Sequence, residues 1–139
     1  MVHALRRAGQ RLRSGGSLIS IRPHRTWLPV VSVLTPSRRI PVARLATPGF
    51  DLRQEAAEAA LARVIEEGAF TLAGIRNDTF RSRLDNLSQV RAYLELIAPP
   101  RPRFPPGGRA RLLDLWKSRH QGSKIEIAES IVLTALRRR

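Results

Sequence analysis

Ala4-Leu5-Arg6-Arg7-Ala8-Gly9-Gln10-Arg11-Leu12-Arg13-Ser14-Gly15-Gly16-Ser17-Leu18-Ile19-Ser20-Ile21-Arg22-Pro23-His24 reads as a helix, a turn and a strand in succession. Val2, Leu5, Ala8 and Leu12 recur at helical spacing, with Arg6, Arg7, Gln10, Arg11 and Arg13 off that face, so residues 2–13 are expected to form a basic amphipathic helix. Ser14-Gly15-Gly16 ends it, because glycine readily takes the left-handed conformation of a helix stop. Residues 17–22 are rich in β-formers and lose polar alternation after Ser20. That suits a strand buried on both faces of a parallel sheet. Pro23 stops it.

Downstream, residues 23–49 hold Pro23, Pro29, Pro36, Pro41 and Pro48. They are expected to form a long ordered connection with extended pieces at 30–34 and 40–45; connections this long are usually functional. Residues 51–67 carry the clearest helical pattern: Asp51 as cap, Gln54 at capping-box spacing, and Ala57, Leu61, Val64 and Ile65 as apolar stripe. Gly68 stops the helix, and residues 69–75 read as a strand running on towards Phe80. Asp85 or Asn86 caps a helix over 87–97 with Val90, Leu94 and Ile97 inward, ended by Pro99-Pro100. A Pro/Gly loop over 101–108 leads to a short helix over 109–120. Residues 123–136 fit two patterns. Ser123 to Glu126 fits a capping box, whereas the β-branched Ile125, Ile127, Ile131, Val132 and Thr134 favour a strand, which is the reading adopted.

Bulk composition narrows the classes. A chain of 139 residues with 42% apolar side chains can close one domain around a core. The absence of cysteine excludes disulfides, zinc–thiolate sites and a cysteine nucleophile, and points weakly to the cytoplasm. No apolar run approaches the ~20 residues of a membrane span, so no membrane partner is expected. The formal charge is +14, carried by 23 Arg and 2 Lys, a skew that GC-rich codons also produce. Residues 1–50 contain nine Arg and no acid. Three readings fit that segment: a mitochondrial transit peptide over residues 1–46, a nucleic-acid-binding arm, or part of a domain whose acidic partners lie upstream.

The helix–Arg-Ser-Gly-Gly–strand passage resembles the approach to the fifth strand of a class I S-adenosylmethionine-dependent methyltransferase of small-molecule type. Leu84-Asp85-Asn86-Leu87…Tyr93-Leu94 resembles the helix after that family's sixth strand, and Ile125-Glu126-Ile127…Leu136-Arg137-Arg138 its terminal strand. This likeness supplies most of the preference for strand over 123–136. The family has an α/β fold whose fifth strand neighbours the seventh, and the seventh, antiparallel, neighbours the sixth. The resemblance implies one partial Rossmann-like methyltransferase domain over residues 1–139. Residues 1–22 would hold a helix and the fifth strand, 23–50 a substrate-side loop, and 51–139 the last helices with the sixth and seventh strands. The family's cofactor site is a glycine-rich turn after its first strand, and no Gly-x-Gly occurs in this sequence. S-adenosylmethionine is therefore implied by resemblance alone, and the isolated chain is expected to bind none. The expected function is the carboxyl-terminal part of such an enzyme, inactive alone. Its expected partner is an amino-terminal fragment carrying strands one to four, or a second copy paired through residues 17–22. The alternative is an Arg-rich RNA- or ribosome-binding protein.

Arg22, His24, Arg25 and Trp27 follow the presumed fifth strand, where the resemblance places the acceptor substrate; they are the candidate substrate contacts. His24 has the near-neutral pKa range of a general base, although an exposed loop histidine is the commoner state. Trp27, Tyr93 and Trp116 would stack a flat substrate or serve as packing. Asp51, Glu55, Glu58, Glu66 and Glu67 lie on or beside one helix and read as a solvated face. Three dispersed histidines without cysteine make no metal site. Arg6 to Arg13 with Arg22, Arg25, Arg38, Arg39 and Arg44 would bind phosphates in a salt-dependent way, but the interleaved aromatics of a single-strand binder are missing.

Overall fold

Antiparallel strand pairing organises the chain. The computed structural model describes residues 1–98 and 100–139; Pro99, expected to help end a helix, lies outside them. The elements are α1 (Val2–Arg11), β1 (Ser17–Pro23), β2 (Val30–Leu34), β3 (Arg39–Arg44), α2 (Phe50–Glu66), β4 (Phe70–Leu84), α3 (Leu87–Leu96), α4 (Gly108–Lys117) and β5 (Lys124–Arg138). The strands are hydrogen-bonded in the order β1-β5-β2-β3, and β4 also pairs with β5. The mixed α/β class and the strand reading of the last segment hold. The chain divides into two compact units.

The first unit comprises Met1–Thr26, Phe50–Asp78 and Ile131–Arg139. β1 pairs with β5 from Ser17↔Arg137 to Pro23↔Ile131. The ladder continues into the Gly15-Gly16 turn, where the Gly15 N–H donates to the Arg138 carbonyl at 3.0 Å and the Arg138 N–H to the Gly16 carbonyl at 2.8 Å. The start of β4 joins the end of β5 through the Thr71 hydroxyl on the Arg137 carbonyl at 3.3 Å. Leu5 of α1, Ala60, Leu61 and Val64 of α2, Phe70 of β4 and Leu136 of β5 form the core. Gly9 faces Phe70 across it: a Cβ there would lie 3.1 Å from the ring's Cζ. That close approach explains a glycine in mid-helix, where it costs about 1 kcal/mol relative to alanine.

β1 corrects one expectation. It is neither parallel to its neighbour nor buried on both faces: Leu18 packs against the core, while Ile19 and Ile21 on the other face are each 63% exposed. An apolar run without polar alternation is the pattern of two-sided burial, but α1 and α2 supply cover on one side. α2 also begins one residue before Asp51, so Asp51 lies inside the first turn instead of capping it. There its charge favours the helix amino terminus.

The second unit comprises Trp27–Gly49 and Thr79–Ser130. The expected loop over 23–50 contains a hairpin, with β2 and β3 paired from Val30↔Arg44 to Leu34↔Arg39. The register shifts after Val31↔Ala43 to Ser32↔Pro41, a bulge in β3. Pro41 is tolerated because β3 is an edge strand, where a missing N–H breaks no ladder on the open side. Thr35 closes the turn: its N–H donates to the Arg38 carbonyl at 2.9 Å, and its hydroxyl accepts the Arg38 N–H at 3.1 Å. β2 then adds to β5 from Val30↔Ala128 to Leu34↔Lys124. Val31, Val33, Val42, Leu45, Ile125 and Ile127 meet Val90 of α3 and Leu112 and Trp116 of α4 in the core. Asn86 caps α3 by accepting the Gln89 N–H at 2.9 Å. Asp85, the other candidate cap, pairs with Lys124 instead.

Candidate functional site

The end of β1 places Arg22 beside α2 in the first unit. Its Nη1 donates to Glu58 Oε1 at 2.8 Å, and its side chain is 14% exposed. Arg25 donates from Nη2 to Glu55 Oε2 at 3.3 Å, and its Nη1 lies 3.8 Å from Glu58 Oε2. The expected substrate contacts Arg22 and Arg25 are thus engaged with the two carboxylates read as a solvated face. His24 Nδ1 accepts the Thr26 N–H at 3.3 Å. Trp27 belongs to the second unit and is 52% exposed. Trp116 is buried in the core with the Arg119 guanidinium 4.2 Å from its ring centre, a cation–π contact. His3 and His120 are exposed.

Just after α2, Glu67 receives Arg6 Nε at 3.0 Å and Arg63 Nε at 2.8 Å. Those hydrogen bonds, first from Arg6 and then from Arg63, hold its carboxyl down to about 2. The Lys124 ammonium lowers Asp85, again chiefly through a hydrogen bond. Glu129, near the middle of β5, moves the other way: burial pushes its carboxyl up.

The second unit holds a cluster that the sequence reading missed. Glu126 has no exposed surface, yet lies on a strand between Ile125 and Ile127. Arg39 Nη2 of β3 approaches its Oε1 to 2.9 Å, and Arg81 Nη1 of β4 donates to the same oxygen at 3.1 Å. Arg83 Nε lies 3.8 Å from Oε2. Two signals were present. A lone carboxylate flanked by isoleucines marks a buried charge that needs partners. Arg81 and Arg83 are spaced to share one strand face.

Residues of α3 and α4 with Arg101, Pro102 and Phe104 line a cleft of about 470 Å³. Val90, Leu94, Phe104 and Leu112 give it an apolar lining, with Arg91, Arg101 and Arg109 among its polar groups. The volume lies within the ~300–1,000 Å³ range of small-molecule sites.

Among the described residues no group of His, Asp and Glu comes together as a metal site, and no helix is long and apolar enough to cross a membrane. Two connections lead from a strand into a helix: residues 45–49, between β3 and α2, with the single glycine Gly49, and residues 85–86, between β4 and α3, with none. Neither offers the glycine spacing that lets backbone N–H groups at a helix start approach a nucleotide cofactor. No protein-family model, curated protein or solved structure matches the chain.

Proposed function

We propose that the chain is the carboxyl-terminal part of a class I S-adenosylmethionine-dependent methyltransferase, contributing acceptor-side structure and inactive by itself. The observation that carries this reading is strand order. β5 lies between β1 and β4, so the order β1-β5-β4 matches the neighbourhood of fifth, seventh and sixth strands that the resemblance implies. β1 and β5 are antiparallel, as that template requires. The residues of this chain do not fit the cofactor, and no chemical step is assigned to them. Their part is to shape the acceptor side, with Arg22 near the end of β1 and His24 and Arg25 just after it as the proposed substrate contacts of the first unit, and Trp27 as that of the second.

The Arg-rich nucleic-acid reading is weaker. Arg6, Arg22 and Arg25, members of its expected phosphate-binding set, are each paired with a glutamate on or just after α2.

The decisive experiment reads the nucleotide sequence upstream of the Met1 codon. A strand–Gly-x-Gly–helix pattern there, in frame or in an adjoining frame, is the expected result. Its absence, or saturable binding of S-adenosylmethionine by the isolated chain in isothermal titration, overturns the proposal.

A further inference from the structure

Glu126 is one carboxylate facing three guanidiniums. Arg39 and Arg81 converge on Oε1 at 2.9 and 3.1 Å, and Arg83 stands 3.8 Å from Oε2, beyond hydrogen-bond reach. The carboxylate is fully buried, whereas the arginine side chains are 45%, 40% and 68% exposed. Among the described residues, none of the three makes another ion pair. The cluster lies on the sheet face opposite the core. Val31 and Val33 point into the core, so Ser32 between them faces the other way, level with Glu126 in the β2–β5 register.

One guanidinium would be enough to neutralise a buried carboxylate; three leave an excess of two positive charges at one spot. Like charges this close repel, and solvent screens them only in part. Each guanidinium carries five N–H donors in a rigid fork. Glu126 meets one terminal nitrogen each of Arg39 and Arg81, so it engages only part of each half-exposed fork. A buried anion that orients a set of half-exposed cations is a preorganised receptor for a second anion on the solvent side.

We infer that Arg39, Arg81 and Arg83, anchored by Glu126, bind a dianionic phosphate group of the phosphomonoester type. The charge excess selects a dianion over a singly charged phosphodiester. The three forks converge from β3 on one side of Glu126 and β4 on the other, which suits a tetrahedral group with several acceptor oxygens. This assignment is independent of the methyltransferase reading.

The test uses the full chain with inorganic phosphate as probe, at ionic strength held constant with sodium chloride. Isothermal titration is expected to show one saturable site, with affinity rising as phosphate takes on its second charge. Arg83→Ala is expected to weaken binding about tenfold, the loss of one charge-assisted hydrogen bond. It leaves Arg39 and Arg81 on Glu126, so the fold is kept, which a thermal melt verifies. Arg53→Ala, which removes an exposed charge from α2, is expected to leave affinity within about twofold. An equal loss for both variants, or no heat beyond that of chloride, overturns the inference. An oligonucleotide without terminal phosphate that displaces the probe as well as a phosphomonoester does also overturns it, in favour of general polyanion binding.

Discussion

The Arg22 guanidinium is held by Glu58 at 2.8 Å across the contact between the end of β1 and α2, with little of its side chain exposed. A charge-assisted hydrogen bond in a part-buried setting is worth more than an exposed ion pair. Arg22→Ala is therefore expected to lower stability by about 1–2 kcal/mol. Arg25→Ala, whose pairs with Glu55 and Glu58 are more open, should cost less than about 1 kcal/mol. Urea denaturation of both variants checks the ranking. An Arg22→Ala chain as stable as the parent would mean that the ion pair adds nothing and that Arg22 is available to a ligand.

Glu67 gives the acid limb of the stability curve a predictable sign. Arg6 and Arg63 hold its folded carboxyl at about 2, below the ordinary glutamate range. The unfolded chain thus binds its proton first as pH falls. The stabilisation is fully present above the unfolded value near ~4.3 and is lost progressively down to about 2. Glu67→Gln should flatten the fall in melting temperature across that window. An unchanged slope would show that the pairs with Arg6 and Arg63 do not persist in solution.

Glu129 has the opposite sign. Burial raises its carboxyl, so the fold favours the protonated form and is penalised once the group ionises. Among the described residues it has no ion-pair partner. Glu129→Gln is expected to raise the melting temperature at neutral pH, and the gain should vanish below the ordinary glutamate range, where both side chains are neutral. A gain that persists at acid pH would point to packing as its source.

The sequence made the elements legible wherever a period was sustained. α1, α2, α3 and both long strands lie where their spacing puts them, because amphipathic period and caps are local properties. The one-sided burial of β1 was not legible. Leu18, Ile19 and Ile21 are equally apolar, and what covers each face is decided by α1 and α2 from elsewhere in the chain. The hairpin of β2 and β3 was half legible: its extended pieces were expected, but their addition to β5 depends on a partner some ninety residues away. The Glu126 cluster joins β3, β4 and β5 and has no local signature beyond a carboxylate among isoleucines and a pair of alternating arginines. Arg22 and Arg25 were singled out by position after a strand, while their engagement by Glu58 and Glu55 follows from tertiary packing.

Among the described residues β1 pairs along one side only, with β5, and its apolar Ile19 and Ile21 are exposed on one face. Between Ser17 and Ile21 no charge or proline blunts the open edge, the usual protection against pairing with another chain. The protein is expected to self-associate with rising concentration, and Ile19→Lys to reduce that association without loss of fold. Sedimentation velocity over a concentration series measures both. A parent chain that stays monomeric throughout would sink the edge as an association surface.

The transit-peptide reading of residues 1–46 makes the sharpest contrast with the fold. These residues contain α1, β1, β2 and β3. Their removal would strip Leu5 from the first unit's core and uncover Val64, Phe70 and Leu136. It would also take Val31, Val33, Val42 and Leu45 from the second unit's core and leave the β2 side of β5 unpaired. Each buried aliphatic side chain contributes roughly 1.5–3 kcal/mol. Five such losses amount to about 7–15 kcal/mol, comparable with the whole stability of an ordinary domain. A chain beginning at Thr47 should therefore lack a cooperative thermal transition and should bind hydrophobic dyes, whereas the full chain melts in a defined transition. If the shortened chain instead melts cooperatively as a monomer, residues 1–46 are dispensable for folding, and a cleavable leader becomes the better account of the acid-free, Arg-rich amino terminus.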